Sequence, residues 1–317
     1  MIEIYRTPEA GAAPEPVETI TDGCWVRMIQ PNDEEVAFVC RELSIPREDL
    51  TILLDEEESP RMEQQDDGRT LIIVDSPYIS MQKNTETYAT IPSGFIVLKN
   101  VILTVSLRKN PILQNFAEGR VKNFSTIRKT RFLLQFLYRN SGLFVQNLRQ
   151  IDRKTVDLEK NLRRATRNEE LFALLNLQKS LVYITTALKA NETVLEKLAR
   201  FPTSEIRMRE EDNDLLDDTI IENRQALEMA ATYSSTLTST MDAFASIINN
   251  NVNDIMKLFT CVTILLTIPT MAASFLGMNV LIPGLFSENP LAFMGIILGS
   301  LSVSAFLLWI MFRKKII

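Results

Sequence analysis

Residues 258–276, LFTCVTILLTIPTMAASFL, and residues 291–312, LAFMGIILGSLSVSAFLLWIMF, decide the architecture of this chain. The first run has 19 residues, the second has 22, and neither contains a charged side chain. The hydrocarbon core of a bilayer requires about 20 apolar residues in a helix. A buried core helix is the alternative for the first run, because Thr and Ser are scattered through it. Two such runs joined by a short loop favour a membrane hairpin.

Charges next to the two runs predict how the hairpin is oriented. Arg313, Lys314 and Lys315 follow the second run, whereas the connecting loop carries only Glu288. By the positive-inside rule the C-terminus lies in the cytoplasm, and two spans place residues 1 to about 254 on the same side. The opening residues have neither a basic leader nor an apolar run, so we expect no signal peptide. The prediction is a multi-pass protein of the inner, cytoplasmic membrane with both termini in the cytoplasm.

The composition limits the chemistry of the predicted cytoplasmic part. Of 34 basic and 40 acidic residues, only four basic and one acidic lie in residues 255–317, which leaves residues 1–254 with a net charge of −9. Such acidity disfavours nucleic acid and favours cations. The chain has no His and three widely spaced Cys. A bound metal would therefore be held by oxygen ligands, which suit hard ions such as Mg²⁺.

The whole sequence predicts an α+β cytoplasmic domain, followed by a long helical stalk and two C-terminal transmembrane helices. Short β-rich runs occur at residues 24–29, 70–74, 95–98 and 101–105, and the last two form a hairpin around Lys99-Asn100. Short helices are expected at residues 31–43, capped near Asn32, and at residues 47–54. The predicted segments are a mixed α/β domain (1–110), helical arms (111–203), a stalk helix (204–277) that becomes the first transmembrane helix at about 255, an external loop (278–290), the second transmembrane helix (291–312) and a basic cytoplasmic tail (313–317).

Two features of the sequence indicate where the predicted helices bend or end. The highly charged run 152–168 predicts a solvated bend or an exposed arm, and Phe201-Pro202-Thr203 interrupts the helical pattern. Between Glu210 and Leu276 there is a single Pro, Pro269, and no Gly. One continuous helix over that stretch would be roughly 100 Å long.

Polar residues recur along this stretch at heptad spacing. One series reads Ser235, Asp242, Asn249, Met256, Thr263, Thr270 and Gly277, and its companion reads Ser239, Ser246, Asn253, Thr260, Thr267 and Ser274. Eleven of these thirteen residues are Ser, Thr, Asn or Asp. We call this series the polar stripe. Hydroxyls and amides are costly against lipid, so the polar stripe favours a water-filled pore. The alternative is that these groups bond to their own helix or join neighbouring helices.

The polar stripe also implies an assembly. One helix cannot enclose a pore, so the polar stripe must line the axis of a closed homo-oligomer surrounded by membrane lipid. Upstream, the same face continues through Glu211, Asp214, Asp218, Ile221, Gln225, Glu228 and Thr232. Its far end is acidic and would concentrate cations there, unless it is only a solvated helix face.

Several motifs together resemble the CorA family of magnesium transporters. Phe275-Leu276-Gly277-Met278-Asn279-Val280 contains the Gly-Met-Asn motif of that family. Upstream, Ile268-Pro269-Thr270 and Asn253-Asp254-Ile255-Met256-Lys257 also match the family pattern, and Glu58-Ser59-Pro60-Arg61-Met62-Glu63 resembles its N-terminal domain. The resemblance covers nearly the whole chain.

The resemblance implies a funnel-shaped homopentamer with the first spans around the pore. It implies a selectivity filter at Gly277, Met278 and Asn279, where the Asn279 amide oxygen meets hydrated Mg²⁺ at the external entrance. The family's pore positions fall on Thr270, Thr267, Thr263, Met256, Asn253 and Asp242. With the heptad neighbours, the expected pore-lining set is Asp242, Asn249, Asn253, Met256, Thr260, Thr263, Thr267 and Thr270.

The resemblance also implies gating by intracellular Mg²⁺, held by carboxylates between cytoplasmic domains. Asp218 and Asp55 are the candidates, although Asp217 and Asp49 fit as well. The loop 280–288 departs from the family pattern, since it is largely apolar with one late carboxylate. Two further departures are Leu276, where an aromatic residue is common, and an apolar gate represented on the polar stripe only by Met256.

The functional prediction is therefore passive conduction of Mg²⁺, with Co²⁺ or Ni²⁺ as accompanying ions. A zinc-type or efflux relative on the same scaffold is one alternative, and a non-conducting membrane-anchored sensor is another. An enzyme is not expected, because the sequence has no nucleotide loop, no nucleophile–base set and no metal-hydrolase motif. Without a nucleotide loop, ATP is not the expected driving force.

Overall fold

The computed structural model describes residues 1–8, 12–82, 85–164, 168–201, 203–278 and 290–313. The chain divides into two compact units, Met1–Thr240 and Met241–Ile317. Each unit is described separately below.

A mixed sheet organises the first unit. In the described part of the chain its strands are β1 (Ile2–Arg6), β2 (Glu15–Pro16), β3 (Trp25–Ile29), β4 (Arg61–Gln64), β5 (Thr70–Gln82), β6 (Thr85–Val97) and β7 (Ile102–Ser106). They are ordered β2-β1-β3-β7-β6-β5-β4 across the sheet. The central strands β3 and β7 are parallel, and the other neighbouring pairs are antiparallel.

The helices begin and end where local signals place them. Their bounds are α1 (Asp33–Leu43), α2 (Arg47–Ile52), α3 (Pro111–Ala117), α4 (Lys129–Arg164), α5 (Asn168–Arg200), α6 (Glu210–Leu276) and α7 (Pro290–Arg313). The predicted cap of α1 is confirmed, because Asn32 Oδ1 accepts from the Glu35 N–H (2.8 Å) and the Glu35 carboxylate accepts from the Asn32 N–H (2.9 Å).

Both faces of the sheet are covered by helices. On one face, side chains from α3, α4 and α5 pack on an aromatic cluster centred on Trp25, whose ring centroid lies 4.9 Å from that of Phe132. The buried indole Nε1–H of Trp25 donates to Thr104 Oγ1 at 2.9 Å. On the other face, α1 and α2 cover an aliphatic cluster that includes Val36 and Leu50. The central strands are buried from both sides, which explains their continuous apolar sequence.

The hairpin of β5 and β6 is longer than the sequence predicted. We expected strands only at the β-rich runs 70–74 and 95–98, whereas β5 and β6 continue through Pro77 and Pro92, residues that normally disfavour an internal strand. Pairing with β4 ends at Ile73 and pairing with β7 ends at Ser93, so both prolines lie where the hairpin is a two-stranded ribbon. A proline is tolerated where a strand has no neighbour on one side.

Two other expectations also differ from the structure. The strands β1, β2 and β4 were not predicted, since they are short and lie towards the edges of the sheet. The charged run 152–168 was expected to form a bend or an exposed arm. Its described residues up to Arg164 are helical instead, because α4 continues to that residue. Its exposed charged residues alternate with buried Thr155 and Leu162, so one face of the helix is packed.

Two asparagines attach the helices α4 and α5 to the sheet at Asp75. The Asp75 N–H donates to Asn191 Oδ1 (2.9 Å), and the Asp75 carbonyl accepts from Asn191 Nδ2 (2.9 Å) and Asn140 Nδ2 (2.7 Å). Asn191 lies on α5, Asn140 lies on α4, and both are buried. Because β4 has already ended, these amides occupy the place that a neighbouring strand would take.

The second unit contains the end of α6 and the helix α7. Among the described residues, three helical stretches are long and apolar enough to cross a membrane: Glu169–Arg200, Glu210–Phe275 and Met294–Met311. The most apolar window of the first is 39% buried within the chain, against 6% for each of the other two. Helix α5 therefore belongs to the packed core of the first unit, whereas α6 and α7 present apolar surface outwards.

The Asp75 carboxyl predicts an unusual dependence of stability on pH. Burial raises its pKa from 3.8 to about 6. The folded protein therefore binds this proton more tightly than the unfolded chain, so stability falls as the pH rises from about 4 to about 6. We expect Asp75→Asn to raise the unfolding temperature of the full chain in detergent at pH 7.5 and to flatten this slope. Exposed Asp66→Asn is the control, and an unchanged slope in Asp75→Asn would contradict the assignment.

Candidate ion pathway along the long helix

Within the first unit, α6 has one buried face and one exposed face. The buried face comprises Leu216, Thr219, Asn223, Ala226, Ala230 and Leu237. It is fixed partly by Asn223 Nδ2, which donates to the Leu188 carbonyl of α5 at 3.1 Å. The upstream extension of the polar stripe is exposed throughout, at Glu211, Asp214, Asp218, Ile221, Gln225, Glu228 and Thr232. The residues of α6 that pack within the first unit therefore lie on a different face of the helix from the upstream extension of the polar stripe.

In the second unit the expected pore-lining residues are exposed along one side of α6. They are Asp242, Asn249, Asn253, Met256, Thr260, Thr263, Thr267 and Thr270. Contacts within the chain leave this side of the helix open. It is therefore available to water or to another copy of the chain.

Each threonine of the polar stripe donates its hydroxyl proton to its own helix. Thr260 Oγ1 donates to the Met256 carbonyl (2.8 Å), and Thr263 Oγ1 donates to the Phe259 carbonyl (2.8 Å). Thr267 and Thr270 do the same one and two turns further on, at 2.7 Å to the Thr263 carbonyl and 2.8 Å to the Leu266 carbonyl. The contact that the sequence analysis left open as an alternative is thus present.

This bonding determines what the hydroxyls offer to their surroundings. A hydroxyl has one proton and two acceptor lone pairs. Because the proton of each threonine is used within the helix, the exposed part of its oxygen can only accept hydrogen bonds. Asn249 and Asn253 add side-chain carbonyl oxygens to the same side, and Asp242 adds a carboxylate. The polar stripe is therefore rich in hydrogen-bond acceptors.

The rest of the exposed surface of α6 in this region is apolar. Leu258, Phe259, Val262 and Leu266 are between 47% and 65% exposed. Apolar surface of this extent is stable against lipid or against other apolar helices. The helix therefore carries the polar stripe on one side and exposed apolar side chains next to it.

A cavity of about 610 Å³ lies beside the start of the apolar run. Asn253, Met256 and Thr260 of the polar stripe contribute to its lining, together with Met311 of α7. Lys257, also in the lining, is paired with Asp254 at 3.1 Å. The local positive charge is therefore compensated next to the polar stripe.

The helix ends just before the predicted filter. The Gly277 N–H donates to the Ala273 carbonyl (3.0 Å) and the Ser274 carbonyl (3.2 Å), and the last helical residue is Leu276. Gly277 and Met278 are exposed. Asn279 and the loop to residue 289 lie outside the described residues.

The two regulatory candidates are exposed and lie in the first unit. Asp218 faces outwards on α6, and Asp55 Oδ1 accepts from the Glu57 N–H at 3.0 Å. Asp49, the alternative to Asp55, is largely buried and paired with Arg69 at 3.0 Å. No group of three or more Asp, Glu, Cys or His side chains suited to a metal ion occurs among the described residues. Within this described part, neither Asp218 nor Asp55 therefore belongs to such a group.

Comparison with known proteins places these features in a family. The family model described as "CorA-like Mg2+ transporter protein" matches residues 21–314. The cobalt/magnesium transport protein CorA of Methanocaldococcus jannaschii is 32% identical over 279 residues, which cover 84% of this chain and 81% of that protein.

Solved structures agree with this placement. The complete structure of the CorA magnesium transporter from M. jannaschii superposes with a TM-score of 0.81 at 25% identity, over 97% of this chain and 96% of that one. The ZntB cytoplasmic domain from Vibrio parahaemolyticus matches with a TM-score of 0.61 at 14% identity, over 78% and 98%, which shows a shared fold alone. The expected α+β domain, long helix and C-terminal apolar helices are confirmed, and so is the expectation of a transporter rather than an enzyme: the chain belongs to the CorA-like Mg²⁺ transporter family.

Proposed function

We propose that this protein is a passive channel for hydrated Mg²⁺, with Co²⁺ and Ni²⁺ as accompanying ions, and that the polar stripe of α6 lines its pore. The observation that carries the proposal is the row of exposed threonine oxygens whose protons are donated to their own helix. The printed name of the related cobalt/magnesium transport protein supports the choice of ions.

The acceptor character of the polar stripe suits a hydrated cation. Mg²⁺ loses its water reluctantly, so it passes most easily with its hydration shell in place. The water molecules around a cation direct their hydrogens outwards, where they meet the oxygens of Thr263, Thr267 and Thr270. Each water molecule around an anion uses a hydrogen to bind the ion, so a hydrated anion offers fewer hydrogens to the same oxygens. The neutral hydroxyl oxygens of the polar stripe therefore favour hydrated cations over hydrated anions, even without a full negative charge.

The pore requires several copies of the chain. A closed homo-oligomer, for which we propose a pentamer by resemblance to the family, would place α6 around the axis and α7 outside it. We propose Gly277, Met278 and Asn279 as the selectivity filter at the outer end. The Asn279 amide oxygen would contact the hydration shell of Mg²⁺ there, and Gly277 gives the backbone freedom to turn after α6.

The orientation and the two membrane crossings are part of the same proposal. Arg313 ends α7, and Lys314 and Lys315 follow it in the sequence, which favours a cytoplasmic C-terminus in the cell membrane. With α6 and α7 as the two spans, the first unit and the N-terminus would share the cytoplasmic side. The loop 278–290 would then be external.

Regulation by intracellular Mg²⁺ would use carboxylates of the first unit. Asp218 and Asp55 are exposed and unpaired with any basic side chain within 4.0 Å in the described part of the chain. A carboxylate from each of two adjacent copies could share one ion, and loss of that ion would leave like charges facing each other. Asp49 suits this role less well, because it is already paired with Arg69.

Flux measurements on the purified protein in liposomes with a Mg²⁺-sensitive dye test the pore. We expect Mg²⁺ uptake by the wild type and its loss in Asn279→Ala. Thr263→Val, which keeps the side-chain shape but removes the acceptor, should lower the flux by at least about fivefold, since the loss of even one hydrogen bond costs about 1 kcal/mol. Thr263→Ser should retain most of the flux.

Ser302→Ala is the matched control for these variants, because Ser302 on α7 makes the same kind of bond to its own helix, at 2.7 Å to the Leu298 carbonyl. Its flux should equal that of the wild type. Absence of Mg²⁺ flux in the wild type would overturn the channel and favour the membrane-anchored sensor. Zn²⁺ flux without Mg²⁺ flux, or active extrusion, would favour the zinc-type or efflux alternative.

Protection against proteolysis by Mg²⁺ tests the regulatory carboxylates. Asp218→Ala should need at least about tenfold more Mg²⁺ for half-maximal protection, because removal of a metal-site residue typically weakens metal affinity by that factor. Exposed Asp22→Ala should behave as the wild type. Equal protection in Asp218→Ala and the wild type would remove Asp218 from the sensor.

A further inference from the structure

A basic cavity of about 490 Å³ lies at the start of α4, within the first unit. It is formed by the connection after β6, the first turn of α4 and the segment that leads into α6. Six of its lining side chains are basic: Lys99, Arg128, Lys129, Arg131, Arg207 and Arg209. The volume is within the usual range of small-molecule sites. Such a concentration of positive charge is unexpected in a unit whose net charge is negative.

Three of these basic side chains are neutralised by carboxylates. The pairs are Arg128–Glu211 at 3.4 Å, Lys129–Glu205 at 3.4 Å and Arg131–Asp212 at 3.3 Å. Glu205 and Asp212 are the acidic residues in the lining, so both are already engaged. Lys129 is also held by the Leu98 and Lys99 carbonyls, and burial lowers its pKa. The basic side chains in this part of the cavity are therefore already held by other groups of the protein.

The other three basic side chains have no such compensation. Lys99, Arg207 and Arg209 are exposed and have no carboxylate within 4.0 Å in the described part of the chain. Arg207 Nε donates to the Ser204 carbonyl at 3.3 Å, which leaves its terminal nitrogens for another acceptor. The Arg209 backbone N–H donates to Asp212 Oδ2 at 3.2 Å, which fixes the start of its side chain. Three positive charges thus face one opening without partners.

The first turn of α4 adds to the positive potential of the cavity. The N-terminus of a helix carries partial positive charge and is stabilised by acidic residues. The first turn of α4 contains no acidic residue, as in α3 and α7, and it includes Lys129 and Arg131. Glu205, Glu211 and Asp212 already offset the basic side chains of this turn, so the end of α4 adds only its partial positive charge to the cavity.

We propose that this cavity binds a small anion that carries two adjacent phosphate groups. The charge of about −3 on a diphosphate group matches the three unpaired basic side chains. Arginine guanidinium groups bind phosphate oxygens in a bidentate manner, which suits Arg207 and Arg209. The proposal is independent of ion conduction. It adds a ligand that would join the first turn of α4 to the residues immediately before α6.

Binding of inorganic diphosphate to the full chain in detergent tests this site. Isothermal titration calorimetry in buffer freed of divalent ions by a chelating resin avoids competition from Mg²⁺ complexes. We expect saturable binding at one site per chain, and sulfate at the same ionic strength should bind more weakly. Arg207→Gln and Arg209→Gln should each raise the Kd by about tenfold, as expected for the loss of one charge-assisted hydrogen bond.

Arg149→Gln and Arg153→Gln are the matched controls, because both arginines are exposed on α4, about 30 Å from its start. They should leave the Kd unchanged. All four variants should keep the unfolding temperature of the unliganded protein; if Arg207→Gln or Arg209→Gln lowers it, Lys99→Gln provides the same test from the other side of the cavity.

The source of the diphosphate group is identified by a second titration with ATP. Tighter binding of ATP than of inorganic diphosphate assigns the site to nucleotides, and weaker binding assigns it to inorganic diphosphate. No binding of either probe by the wild type, or an unchanged Kd in the Arg207→Gln/Arg209→Gln double variant, would overturn the proposal.

Discussion

The structure depends on one constraint: polar side chains on a membrane helix must face protein or water. The polar stripe continues from the heptad face of α6 in the first unit through the apolar run 258–276. Each of its threonines donates its hydroxyl proton to a carbonyl of the same helix, which lowers the cost of placing that single residue in a membrane. These bonds leave a continuous row of acceptors on one side of the helix, and in the proposed pore this row faces water along the apolar run.

The first unit keeps this face of α6 free. Its packing uses the opposite heptad face, where small residues such as Ala226 and Ala230 allow close contact. The sheet in turn holds α4 and α5 through Asn140 and Asn191, which take the place of a missing strand beside Asp75. Stability of the unit and exposure of the polar stripe are therefore achieved by different residues on the same helix.

The sequence allowed the long helix, the two apolar runs and the polar stripe to be predicted, because their signals are periodic and local. We expected residues 169–200 in the helical arms; their composition alone would also allow a membrane span, because burial against the sheet depends on the tertiary fold. The sequence could not show that Lys99, Arg128 and Arg207 meet around one cavity, because these residues are far apart in the sequence. The bonds of the threonines to their own helix are local, but the sequence left them as one of two alternatives. Asp55 and Asp218 remain predictions, since their role requires a second copy, and Asn279 lies outside the described residues.

The most direct test of the central claim is cysteine accessibility around α6 in liposomes. In a background with Cys24, Cys40 and Cys261 replaced by Ala, single cysteines at Thr260, Thr263 and Thr267 are compared with single cysteines at Val262 and Leu266. The cysteine thiolate, which forms only where water reaches the sulfur, attacks a cationic, membrane-impermeant thiol reagent. The account predicts fast modification and a blocked flux at the three positions of the polar stripe and slow modification at the other two. Equal reactivity around the helix, or faster reaction at Val262 and Leu266, would contradict a pore lined by the polar stripe.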